Sequence, residues 1–234
     1  MLARPGAGCY NRPMIQSLSV GPIGANTYIV DQTDGPLLVF DPGAEANRIL
    51  PLILTAIKRG HQDSVLLVCT HGHLDHTGGL PELTASLRDH GIKHQICVHA
   101  DDVAYFGAES VRTNQRLFDS IQASAFFDRL QAVIPAPDLL LQHDSLLPGT
   151  DVRVLHTPGH SPGSCCFLIE HGRTLISGDT LFKGGRGRTD SFDASEDSLL
   201  RSIRERLCNL PESTRVLPGH GGETTIGKER RHYL

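Results

Sequence analysis

The chain has 234 residues, 39% hydrophobic and 21% charged, enough to bury a core without staples and too apolar for wholesale disorder. No run approaches the roughly 20 apolar residues of a membrane helix, and 22 Lys and Arg against 26 Asp and Glu, net −4, exclude a chain built to wrap nucleic acid. Less ordinary are 24 Gly and 13 His with no Trp, a composition that directs attention to metal sites built on tight loops.

Residues 1–13 (MLARPGAGCYNRP) lack the apolar segment of a secretory signal and are expected to be a disordered lead-in. Met14 opens the first strand-like run, MIQSLSV, and is the expected functional start, with residues 14–234 forming one domain. Further strands are predicted at Thr27–Val30 and Leu37–Phe40, the latter stopped by Asp41-Pro42-Gly43. Helical spacing of Ile49, Leu50, Ile53, Leu54 and Ile57 predicts a helix over 46–59, with Pro51 tolerated only near its first turn. Val65–Cys69 reads as a strand buried on both faces. After it come the loop THGHLDHTGG, a helix around 80–90 and a strand at 95–99. The segment Asp101–Pro135 carries Phe118, Ile121 and Ala125 at helical spacing, with Phe126, Phe127 and Leu130 beside them. It is expected to be a helix packed on the domain, with a lid or dimer contact as the alternative.

A second half echoes the first. Strands are predicted at 152–155, 164–169, 173–177 and 215–217, with a helix near 195–207 and Gly-rich loops HTPGHSPG, GDTLFKGGRGRTD and PGHGG between them. Strand-to-loop units with helices between them point to an α/β sandwich with the loops gathered at one end. Cys9, Cys69, Cys97, Cys165, Cys166 and Cys208 form no C-x-x-C pair and are read as reduced thiols of a cytoplasmic protein, with Cys165 and Cys166 facing opposite ways on a strand.

The string His71-x-His73-x-Asp75-His76 follows the apolar run at Val65–Cys69 directly. Four nitrogen and oxygen donors in six residues suit Zn(II), Fe(II) or Mn(II) rather than a thiolate-loving ion. One strand end cannot complete coordination. His160 in TPGHSPG, Asp179 in ISGDT and His220 in LPGHGG each end a strand beside a Gly, as expected where backbone packs tightly round an ion. His61, His90, His94, His143, His171 and His232 are read as ordinary surface or satisfied histidines. His99 and His156 lie at strand ends without the Gly-flanked setting and are left out.

Taken together, THGHLDHTGG, PGHSPG, SGDTLF and LPGHG, in this order and spacing, resemble the metallo-β-lactamase fold superfamily. The details, including DPG at 41–43, GRGRTD at 185–190 and TTIGKER near the end, are similar to its glyoxalase II-like (hydroxyacylglutathione hydrolase-like) hydrolases of the short bacterial branch. The resemblance implies a four-layer αββα sandwich with two divalent cations, Zn(II) first among them, in a cleft between its halves. His71, His73 and His160 would hold one, Asp75, His76 and His220 the other, and Asp179 would bridge them. Asp41 would orient the ligand loop, or merely start a turn. A pair of cations makes water nucleophilic near neutral pH, Asp75 would orient that water or take its proton, and a thioester suits the site because a thiol leaves without a general acid. Lys183, Arg186 and Arg188 form a basic rim expected either to capture a substrate carboxylate, as Arg188 would by the resemblance, or to hold the loop through Asp190.

The implied activity is thioester hydrolysis, with a small-molecule substrate such as S-D-lactoylglutathione and a monomer or homodimer as the assembly. The long glyoxalase II enzymes carry a C-terminal helical domain and tyrosines that are missing here. Alternatives are a mononuclear Fe(II) persulfide dioxygenase of the same superfamily and a metal-binding protein without catalysis. A β-lactamase role is set aside because no export signal is read and the second trio uses no Cys.

Overall fold

In the computed structural model, residues 13–32, 35–60, 62–130 and 132–234 are described. The expected lead-in over 1–13, except Pro13, and His61 lie outside them. Apolar runs buried on both faces form the centre of the first sheet. Its strands are β1 (Met14–Val20), β2 (Ala25–Asp31), β3 (Leu37–Phe40), β4 (Ser64–Val68), β5 (Lys93–His99) and β6 (Leu139–Leu141), in the spatial order β1-β2-β3-β4-β5-β6. The first three are antiparallel neighbours, and β3, β4, β5 and β6 run parallel. On β3 and β4, Leu37, Val39, Val65 and Leu67 face a helical layer, while Leu38, Phe40, Leu66 and Val68 face the other sheet. This is why these runs are apolar without interruption: period-two alternation puts every residue into one core or the other.

The helical layer comprises α1 (Ala46–Gly60), the single turn α2 (Leu74–Thr77), α3 (Leu80–Asp89), α4 (Ser110–Ser120) and α5 (Ser124–Leu130). Pro51 sits in the second turn of α1 rather than near its start. Its missing N–H removes the usual helical bond to the Asn47 carbonyl, and both residues lie on the exposed face, where solvent makes that loss tolerable. The segment 101–135 is two helices rather than one: Gln122 adopts φ 59° and breaks the spacing, leaving Ala125 exposed. Phe118 and Phe127 are buried in the same core as α1 and α3, their rings 5.6 Å apart, as a helix packed on the domain requires.

The second sheet, ordered β13-β12-β9-β8-β7, contains β7 (Arg153–His156), β8 (Cys165–Ile169), β9 (Thr174–Gly178), β12 (Arg215–Pro218) and β13 (Thr224–Thr225); a separate ribbon pairs β10 (Leu181–Phe182) with β11 (Gly185–Arg186). Cys165 and Cys166 face opposite ways as expected, Cys165 into the inter-sheet core with Phe167 and Phe40, Cys166 into an outer core. That outer core is covered by α6 (Glu196–Ser202), a π-helical continuation over Ile203–Leu207, and α7 (Ile226–Glu229). The layers are therefore helix, sheet, sheet, helix, the αββα sandwich. Strands β9 and β12 run parallel. Cys69, Cys97, Cys165, Cys166 and Cys208 are buried free thiols, and burial pushes Cys166 up to about 11 and Cys97 to about 12, so they pack rather than react. Among the described residues no helix is long and apolar enough to cross a membrane.

Candidate metal centre

The candidate ligands lie at one edge of the sandwich, just beyond strand ends, in loops or on the single turn α2. His71 and His73 follow β4, and α2 then turns Asp75 and His76 toward them. His160 lies in the β7–β8 loop, Asp179 follows β9 and His220 follows β12. The structure brings all seven together. Ligand atoms of His71, His73 and His160 lie within 4.8 Å of one another, as do those of His71, His76 and Asp179, and those of Asp75, His76 and His220. Asp179 spans the groups: its Oδ1 is 3.3 Å from His76 Nε2, and its Oδ2 is 3.6 Å from both His160 Nε2 and His220 Nε2.

The orientation of the rings is set from behind. Asp41 is buried at φ 50° and accepts from the Thr70 N–H at 2.7 Å, the Thr70 hydroxyl at 2.8 Å and His76 Nδ1 at 2.9 Å. Because the Thr70 hydroxyl donates to Asp41, its oxygen is left to accept from His71 Nδ1 at 3.0 Å. His160 Nδ1 donates to the Arg188 carbonyl at 2.8 Å. In each ring Nδ1 is engaged from behind and Nε2 faces the centre, the orientation of a metal-ligating imidazole. The Nε2 atoms of His71, His73 and His160, and Oδ1 of Asp179, are buried with no hydrogen-bond partner. Buried polar atoms without partners cost about 1–3 kcal/mol each, and four of them aimed at one space fit a cation. Asp41 therefore does more than start a turn: its carboxylate holds Thr70 and His76 from behind.

Charge and burial divide the histidines. Desolvation, with the neighbouring imidazoles His76 and His160, holds His71 and His73 well below the ordinary imidazole range, so both are neutral donors. Burial opposes a proton on His76 too, but Asp75, Asp179 and Asp41 outweigh it and raise His76 well above that range. The same pairing holds Asp75 well below the carboxylate range, with His76 and His220 outweighing its burial. Three carboxylates converging here carry more negative charge than the imidazoles neutralise, which favours cation uptake with release of a proton.

Glycines let backbone reach the donors. A Cβ on Gly219 would lie 2.1 Å from Asp179 Oδ1 and 2.8 Å from His76 Cε1. The basic rim is placed differently from the ligands. Arg188 makes a bidentate pair with Asp190 at 2.9 and 2.7 Å, Arg186 pairs with Glu196, and Lys183 is exposed with no carboxylate partner among the described residues. Arg188 reaches the centre through its main-chain carbonyl.

Residues 20–220 match the sequence profile described as the metallo-beta-lactamase superfamily. The chain belongs to that superfamily. Among curated relatives of this superfamily chain, the probable metallo-hydrolase YqgX of Bacillus subtilis is 34% identical over 215 residues, covering 91% of this chain and 92% of that protein. The hydroxyacylglutathione hydrolase GloC of Haemophilus influenzae is 30% identical over 224 residues, covering 93% and 95%. Solved structures include the BLEG-1 B3 metallo-beta-lactamase, at TM-score 0.76 and 32% identity over 94% of this chain and 98% of that one. Another is TTHA1623 in a di-iron-bound form, at TM-score 0.68 and 33% identity over 92% and 97%.

Residues that carried no motif also shape this superfamily site. Asn26 Nδ2 donates to the carbonyls of Pro218 at 3.0 Å and Gly221 at 2.9 Å, and Tyr28 Oη donates to Pro218 O at 2.7 Å, bracing the His220 loop. His99 and His156, set aside in the sequence, stack 3.8 Å apart at 12° with Asp101 beside them. Their ring nitrogens nearest Asp101 are already engaged: His99 Nδ1 accepts the Asp101 N–H, and His156 Nε2 donates to Pro162 O. Parallel rings cannot both place a cation in plane, so this trio reads as packing.

Proposed function

We propose that the chain is a divalent-metal-dependent thioester hydrolase of the glyoxalase II kind, acting on a small thioester such as S-D-lactoylglutathione. The observation that carries the reading is the convergence of two donor trios on Asp179, with four partnerless buried polar atoms facing one space. The identity with GloC along nearly the whole of both chains supports the substrate class. His71, His73 and His160 would hold one cation and Asp75, His76 and His220 a second, with Asp179 shared. Such ions supply Lewis acidity and lower the pKa of water toward neutrality. Nitrogen and oxygen donors without thiolate suit Zn(II), and equally Fe(II) or Mn(II).

Asp75 has the most exposed carboxylate of the cluster that faces the centre, at 18% against 10% for Asp179, with Oδ2 3.1 Å from His220 Nε2. Its depressed pKa keeps it ionised, so it orients an incoming water through an accepted hydrogen bond and is a weak base for removing its proton. Asp41 holds the proton on His76 Nδ1 while substrate enters. A thiolate leaving group, of parent pKa about 8.5, departs without a protein acid. Lys183, the rim cation with no carboxylate partner among the described residues, meets the substrate carboxylate, and Arg186 and Arg188 join only by leaving Glu196 and Asp190.

The test is turnover of S-D-lactoylglutathione by metal-loaded protein, beside oxygen uptake on glutathione persulfide and hydrolysis of a chromogenic cephalosporin. The cephalosporin arm is a second reading, favoured by the 32% identity with BLEG-1. Thioester cleavage exceeding the other two by orders of magnitude is expected. Iron-dependent oxygen uptake without thioester cleavage, or cephalosporin hydrolysis alone, would overturn the proposal.

A further inference from the structure

The turn after β5, residues Ala100–Tyr105, contributes no donor to the cluster, yet it lies directly beneath two of its loops. Asp102 in this turn is wholly buried, and among the described residues no Lys, Arg or His pairs with it. Its carboxylate is satisfied instead by three neutral donors. Oδ2 accepts from the Gly72 N–H at 2.8 Å and the Ser161 hydroxyl at 2.7 Å; Oδ1 accepts from the Gly163 N–H at 2.6 Å. Gly72 stands between His71 and His73 on the first sheet's loop. Ser161 and Gly163 follow His160 on the second sheet's loop. One side chain therefore bridges the two halves of the sandwich at the three-histidine trio.

The approach is possible only because both amides belong to glycines. A Cβ on Gly72 would lie 2.5 Å from Tyr105 Cβ, and one on Gly163 would lie 2.6 Å from Asp102 Cγ. The His160 loop is also held from its own sheet, through Ser161–Ser164 contacts at 2.8 and 3.0 Å, His160 Nδ1 on the Arg188 carbonyl and the Ser195 N–H on the Gly159 carbonyl, but among the described residues it is the Asp102 carboxylate whose hydrogen bonds join residues 160–163 to the His71–His73 loop. The three rings it must align sit nearly equidistant, with centroids 4.6, 4.8 and 4.5 Å apart. The other trio is braced by different residues, Asp41 behind His76 and Asn26 behind the His220 loop, and Asp102 touches neither.

We infer that Asp102 is the positioning residue of the three-histidine half of the centre: by tying the His71–His73 loop to the His160 loop it sets the affinity of that half for a divalent cation, and not that of the Asp75–His76–His220 half. The inference rests on reading the cluster as a two-cation centre and is independent of the substrate. Coordination tolerates displacements of only about 0.2 Å, so a loop released from its anchor loses affinity before it loses its fold.

The experiment titrates Co(II) into chelator-stripped full-length protein and reads the visible ligand-field bands with bound metal per chain. It compares wild type, Asp102→Asn, Ser161→Ala and His160→Ala; the last identifies which binding step belongs to the three-histidine half. Asp102→Asn places an amide N–H against donors, and it should weaken that step about 10–100-fold, as loss of an outer hydrogen-bond partner typically does, leaving the other step within about threefold. Ser161→Ala should weaken the same step less, and it decides the matter if Asp102→Asn does not fold. Equal weakening of both steps, or no change in either in a folded variant, would overturn the inference. Wild type that shows the selective pattern and cleaves no thioester would overturn the proposed function and leave Asp102 its role; wild type that takes up no cation would overturn both.

Discussion

Asp41 offers a clean perturbation of the other half. The side chain is 2% exposed and receives three hydrogen bonds, two from Thr70 and one from His76 Nδ1. Asp41→Ala strands all three donors. At about 1–3 kcal/mol for each buried unsatisfied group, with water entering the cavity to relieve part, a loss of about 3 kcal/mol is expected. For a chain of this length that lowers Tm by about 6–12 °C. Asp41→Asn is the more informative change, because it keeps the volume and tolerates the positive φ of this position. Its carbonyl can keep the Thr70 N–H, but its NH2 then faces His76 Nδ1, which must give up its proton to become an acceptor. The one proton the neutral ring keeps is then fixed on Nε2, the atom that faces Asp179 and His220, and the ligand is masked. Divalent-cation affinity should fall about 10–100-fold at the Asp75–His76–His220 half, about 1.4–2.7 kcal/mol at 1.36 kcal/mol per decade. A smaller loss should follow at the other half through Thr70 and His71. Competition for Zn(II) against a chromophoric chelator measures both. Affinities within twofold of wild type, in a protein of unchanged circular dichroism, would refute the argument that Asp41 sets the tautomer.

Three further outcomes follow from the same geometry. Asp179→Ala should remove both metals and activity together, which elemental analysis checks; full occupancy would end its bridging role. Gly219→Ala should displace the Asp179 carboxylate, since the added carbon would stand 2.1 Å from Oδ1, and a shift of about 1 Å costs on the order of 100-fold in turnover. Burial raises Asp102 to about 6, above its unfolded value near 3.9. Between about pH 4 and 6 the folded chain holds a proton that the unfolded chain has lost, so this group's contribution to stability falls as pH rises, by at most about 3 kcal/mol. Denaturant titrations of metal-free wild type and Asp102→Asn across that window should differ in slope, and parallel pH curves would count against it.

The ligands were legible because four nitrogen and oxygen donors crowd residues 71–76 after one strand, while His160, Asp179 and His220 each stand beside a glycine near a strand end, and strand ends of one sense gather at one edge. Strands β1 and β3 fall where the β-type runs Met14–Val20 and Leu37–Phe40 place them, the first partly exposed at the sheet edge and the second apolar throughout because both of its faces are covered. The helix through Pro51 was less legible: whether a lost hydrogen bond is tolerated depends on which face meets water, and that is a tertiary fact. For Arg188 the expected pairing with Asp190 is present, whereas the bond from His160 to its main-chain carbonyl leaves no mark in a sequence, because every residue has a carbonyl. Asp102 escaped notice because its partners are two main-chain amides and a hydroxyl 30, 61 and 59 residues away. Its one local sign was an acidic residue just past a parallel strand, the setting that Asp41 shares.

The central claim is that loops from both sheets enclose a pair of divalent cations around Asp179. Anomalous diffraction at the zinc edge, from crystals of protein grown with Zn(II), tests it most directly. Two peaks are predicted, one bounded by His71, His73 and His160, the other by Asp75, His76 and His220, with Asp179 touching both. A single peak away from these side chains, or none at full zinc supply, would contradict it.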